Sequence, residues 1–150
     1  MAEDASPAAG TSGCGCFAGD CVFAKALRLR VAECELVRRE SLGEGDALSC
    51  SSPTARINCA TLAALMRERA TFALRLPREP APLMHAKALQ LHCGGLTGLR
   101  RAVDPAGAAD VHRLVAAAHE RWGSLTELPW DDLVHAIAAW SPQRRGPKPR

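Results

Sequence analysis

Apolar residues recur at helical spacing in several stretches of this chain, and nowhere do they alternate over a length useful for a strand. From Asp20, a residue type that caps helix N-termini, the run DCVFAKALRLRVAECELVRRES places Phe23, Leu27, Val31 and Cys34 on one face. Arg28, Arg38 and Arg39 fall mostly elsewhere, and Gly43 is a fitting stop, so the pattern predicts a first helix here. LGEGDALSCSSPTARI then reads as a loop because Gly, Ser and Pro53 interrupt it. Asn58 is the expected cap of a second helix, NCATLAALMRERATFAL, which carries Leu62, Leu65, Met66, Arg69 and Phe72.

RLPREPAP holds too many prolines to be anything but an extended connector. A third helix, LMHAKALQLHC, is expected to stop at Gly94 and Gly95, with LTGLRRAV continuing as a turn or a further segment. Asp104 and Pro105 resemble an N-cap and first-turn pair opening AGAADVHRLVAAAHERW, which Gly123 closes. The last helix begins near Pro129, with Trp130, Leu133, Val134, Ile137 and Trp140 as its stripe and Asp131 and Asp132 in the first turn, where the dipole favours them. No internal repeat is present. The expected fold is an all-α single domain of about five helices.

Composition adds the ends. Residues 1–15 are dominated by Ala, Ser, Gly, Thr and Pro and are expected to be disordered, leaving a helical cysteine-containing domain over 16–141 and a basic flexible tail over 142–150. The 150-residue chain is 47% apolar, enough for one ordinary core. Its formal charge of +3 comes from that tail: without Arg144, Arg145, Lys148 and Arg150, 15 basic residues face 16 acids. A body of that balance, with no Tyr and few other aromatics, argues against a nucleic-acid platform. The opening MAEDASPAAGTSGCG has neither a basic nor an apolar region of an export signal, and no apolar run is long enough to span a membrane. A reduced, cytoplasmic setting is therefore expected, where clustered cysteines serve as metal ligands or redox groups more often than as bridges.

The seven cysteines carry the chemistry. Cys14 falls in the flexible segment, and Cys34 sits on the apolar stripe of the first expected helix, where a free cysteine packs as a small hydrophobe. Cys21 and Cys59 follow the capping residues Asp20 and Asn58, positions where exposed N–H groups stabilise a thiolate. Cys50 lies in a Ser-rich loop, and Cys93 stands beside two glycines that allow close backbone approach to a bulky group. Cys16 and Cys21 form a C-x4-C pair, but the C-x2-C spacing of zinc fingers, zinc ribbons and redox dithiols is absent. The expected metal set is Cys16, Cys21, Cys50 and Cys59, with Cys93 as a rival cofactor ligand; the expected cofactor is an iron–sulfur cluster, with zinc as the alternative.

Histidines supply a weaker set. His85 and His92, and likewise His112 and His119, are spaced two turns apart, about 10.5 Å, too far for a pair to grip one ion. They read as core or boundary residues, although His92 beside Cys93 is also a candidate ligand or proton-handling group, and His135 reads as solvated. No G-x-S-x-G, phosphate-binding loop, dinucleotide fingerprint or H-E-x-x-H occurs, so no catalytic residue is assigned. The expected function is a small metalloprotein for electron transfer, redox sensing or cluster delivery to a protein partner, a redox enzyme or regulator. The alternatives are a metal-free helical interaction or regulatory module with structural or redox-switch cysteines and, more remotely, a redox-responsive nucleic-acid regulator.

Overall fold

The computed structural model describes residues 20–43, 45–78 and 81–142. Cys14 and Cys16, the expected disorder over 1–15 and all but the start of the expected tail lie outside the described residues. Among the described residues there are five α-helices, α1 (Ala24–Arg28), α2 (Pro53–Leu74), α3 (His85–Val103), α4 (Val111–Trp122) and α5 (Trp130–Ala139), and a 3-10 turn at Leu125–Glu127. They are joined by a two-stranded antiparallel hairpin of β1 (Val37–Leu42) and β2 (Gly45–Cys50), so the fold is mostly helical rather than all-α.

The long first helix expected from Asp20 ends after α1. Arg30 takes the left-handed conformation at φ 58°, with Arg30 N–H donating to Leu27 O and Val31 N–H to Ala26 O. That pair of bonds is the Schellman arrangement, which closes a helix even when the left-handed residue is not glycine. The stripe of Phe23 and Leu27 is helical and buried, but Val31 and Cys34 reach the interior from irregular chain. The chain then turns into β1, and Leu42 pairs with Gly45 across a two-residue connection opened by Gly43 at φ +60°. Such short connections favour a glycine with positive φ, which is why LGEGDAL is a hairpin tip rather than a loop.

Helix α2 starts at Pro53, ahead of Asn58. Ser52 is its N-cap, accepting from Ala55 N–H at 3.2 Å, and proline suits the first helical position. Its end repeats the device of α1, with Arg75 left-handed at φ 53°. The described part of the proline-rich connector is not simply extended, since Ala81 N–H donates to Arg78 O at 3.0 Å, and Arg67 fastens it by donating to Pro77 O at 3.1 Å and Ala81 O at 2.5 Å.

Helix α3 runs straight through the glycines expected to stop it. Gly94, Gly95 and Gly98 are buried, and a Cβ at Gly94 would stand 2.6 Å from Ile137 Cα, one at Gly98 2.9 Å from Ala136 Cβ. Gly94 and Gly98 let α3 and α5 approach closely, while Gly95 faces Met66 of α2. Helix α4 begins at Val111, after Asp110 rather than Asp104, and closes at Gly123 as expected. Helix α5 buries Trp130, Leu133 and Ile137, the stripe anticipated from its spacing. One apolar core joins Phe23, Leu27 and Leu48 to Leu62, Met66, Leu91, Leu96, Leu99, Leu133 and Ile137.

Candidate functional site

Three backbone pairings gather the hairpin and its flanks. Asp20 bridges Ser49 in antiparallel fashion, and Cys21 N–H donates to Leu48 O at 3.0 Å, so Cys21 lies beside the end of β2. Val37 pairs with Cys50, placing the start of β1 opposite the same end. Glu33 bridges Asp110, with Glu33 N–H on Ala109 O and Val111 N–H on Glu33 O, each at 2.8 Å. Asp110 adds a side-chain hold, accepting from Glu35 N–H at 2.8 Å while also capping α4 through Arg113 N–H at 3.1 Å. The segment carrying Cys34 is thereby fixed against the start of α4.

The result is a pocket lined by four cysteines, Cys21, Cys34, Cys50 and Cys59, each half-buried and none in a disulfide. Phe23, Val37 and Val111 give it an apolar wall, and Arg56 and His112 also line it. Cys21, Cys50 and Cys59, three of the expected ligands, line this pocket. Cys34, expected to pack as a small hydrophobe, does pack against the core and lines the pocket as well. The apolar stripe concealed Cys34; the Schellman turn at Arg30, which takes it out of the helix, has no glycine to signal it. Cys93 is placed differently. It is fully buried in mid-α3, not at a helix end, and does not line this pocket.

Burial pushes the Cys21, Cys34 and Cys59 thiols up, and neighbouring cysteines push each further, Cys59 reaching about 12. Counteracting this, Phe23 N–H donates to the Cys21 sulfur, and Leu36 and His112 N–H groups donate to that of Cys34. Cys50 Sγ donates to Ser52 O at 3.2 Å. Without a cation, raised thiols such as Cys21, Cys34 and Cys59 favour the protonated form and make poor nucleophiles. His112 Nδ1 donates to Glu35 Oε1 at 2.8 Å and Arg113 lies 3.2 Å from Glu35 Oε2, which together hold the Glu35 carboxyl below its usual range. His92 is packed edge-on to Phe23, ring centroids 5.2 Å apart, outside the thiol pocket.

Thiols are the ligand type of zinc and iron–sulfur centres, so their spacing decides what they could hold. Zinc at about 2.3 Å from each sulfur requires sulfurs about 3.8 Å apart, and among the described residues no three His, Cys, Asp or Glu groups converge closely enough to hold one metal ion. A four-iron centre binds each thiolate to a different iron and so tolerates wider spacing. The cavity itself is about 20 Å³, room for about one water, so admitting a larger group requires the lining side chains to move. Comparison with protein-family models, curated proteins and solved structures gives no match. What is shown is a mostly helical protein with one hairpin, in which no helix among the described residues is long and apolar enough to cross a membrane.

Proposed function

We propose that this protein carries one iron–sulfur cluster on Cys21, Cys34, Cys50 and Cys59 and acts in electron transfer, redox sensing or cluster delivery to a protein partner. The observation that supports it is the meeting of four cysteines from four separate segments in one apolar pocket. When bound, such a cluster supplies one-electron chemistry. The chain's part is to hold it and set its surroundings. Phe23, Leu36 and His112 N–H groups donate to two of the sulfurs, which favours the thiolate and raises a reduction potential. Val37, Val111 and Phe23 restrict water.

Zinc is the weaker choice because the groups are not spaced for a single ion. A metal-free thiol switch is weaker too, since reactive cysteines have lowered pKa values and those of Cys21, Cys34 and Cys59 are raised. Anaerobic reconstitution with iron and sulfide, followed by metal analysis and visible spectroscopy, tests the reading. The wild-type chain is expected to gain a brown chromophore. Cys21→Ser, Cys34→Ser, Cys50→Ser and Cys59→Ser should each reduce or abolish it while the far-ultraviolet spectrum stays unchanged, and Cys93→Ser should retain it. A colourless, iron-free wild-type product, or an undiminished chromophore in Cys34→Ser, would overturn the assignment.

A further inference from the structure

A second cavity adjoins the thiol pocket, with Cys59 and His112 lining both. Its volume is about 130 Å³, well above the roughly 10–15 Å³ that one water needs. Its lining is more polar, although Ala55, Val115 and Ala116 also contribute. Ser52, Thr54 and Asn58, from the start of α2, face His112 and His119 of α4, and no carboxylate lines it. His119 Nε2 is buried without a hydrogen-bond partner among the described residues. Leaving such an atom unpaired costs about 1–3 kcal/mol, and in a folded protein it usually marks a bound water, ion or ligand.

We propose that this cavity binds a small monoanion, the size of hydrosulfide or azide, and holds it beside Cys59. Two hydroxyls, a carboxamide and an imidazole offer several hydrogen bonds within one small space, and bonds from neutral donors to an anion are stronger than those to a neutral guest. An acidic side chain on the wall would oppose this, and none is there. His112 Nδ1 is engaged by Glu35 at 2.8 Å, which fixes the ring at the boundary of the two cavities. The purpose of the site rests on the cluster reading, because sulfide is the anion that an iron–sulfur centre takes up when it is built. Its existence does not, because the fold forms the cavity from protein alone.

The test uses metal-free protein, with sodium azide as the probe at constant ionic strength and the histidine ring and Asn side-chain signals followed by NMR. Saturable shifts are expected for His119 and Asn58, with His85 and His135, exposed on other helices, unmoved. Asn58→Leu should weaken binding about tenfold, the effect of losing one hydrogen bond to a charged group, and Thr54→Val should weaken it as well. Shifts that grow linearly with azide, or affinities unchanged in both variants, would overturn the site. Failure of the wild-type chain to take up iron overturns the cluster alone, and failure to bind azide overturns the anion site alone.

Discussion

Packed against the edge of Phe23, the His92 imidazole is pushed down to about 4 from an ordinary 6.5, first by burial and then by Lys25. The folded chain therefore keeps it neutral where the unfolded chain protonates it. Because the folded value is the lower one, its contribution to stability is complete above about 6.5 and is lost as the pH falls toward about 4. At most that is about 1.4 kcal/mol per pH unit. Urea midpoints measured from pH 7 to 4.5 should fall less steeply in His92→Gln than in the wild type; parallel curves would show that His92 is not the group responsible. At this scale part of the pocket lining was legible. Cys21, Cys50 and Cys59 stand out as ligands because the sequence sets them beside capping residues or in Ser-rich chain, although Cys59 in fact lies inside α2 and Cys50 ends β2. Cys34 was hidden because a helical stripe and an irregular segment place the same residue types in the same order.

Glycines on α3 show how one residue type carries two messages at the level of the element. Read along the sequence, Gly94 and Gly95 stop a helix; packed against α5 and α2, they are the reason those helices fit. The two differ in what an added methyl would meet. At Gly94 the obstacle is Ile137 Cα, which is backbone, whereas at Gly95 it is the end of Met66, with Cε and Sδ both 2.6 Å away. Gly94→Ala should therefore destabilise the fold by about 1–3 kcal/mol, against a gain in helix propensity of only about 1 kcal/mol. Gly95→Ala should cost less, because a methionine side chain can turn aside. Denaturant unfolding of the two variants checks the order, and equal losses would contradict it. The hairpin was illegible for a related reason. The described strand residues of β1 are mostly exposed rather than alternating, so the pattern that marks a half-buried strand is missing, and Gly43, which reads as a helix stop, is instead the positive-φ residue of the hairpin turn.

For the molecule as a whole, the number of helices and the α5 stripe follow from periodicity, because long amphipathic segments need only local spacing and a core to face. The thiol pocket depends instead on pairings between distant segments, Asp20 with Ser49 and Glu33 with Asp110, which no window of sequence contains. Those pairings also make the four cysteines a fastening. A group bound to all four sulfurs would close chain loops of 13, 16 and 9 residues, counted from Cys21 to Cys34, Cys50 and Cys59 in turn. Covalent closure of a loop near 15 residues is worth about 3 kcal/mol on the chain-entropy account, and a tightly held centre acts in the same sense. Reconstituted protein should consequently melt well above the metal-free chain, and identical melting curves despite bound iron would show that the iron sits elsewhere. In topological language, the hairpin, the start of α2 and the approach to α4 would cease to be separable parts. Local opening of any one would then require releasing the same central knot.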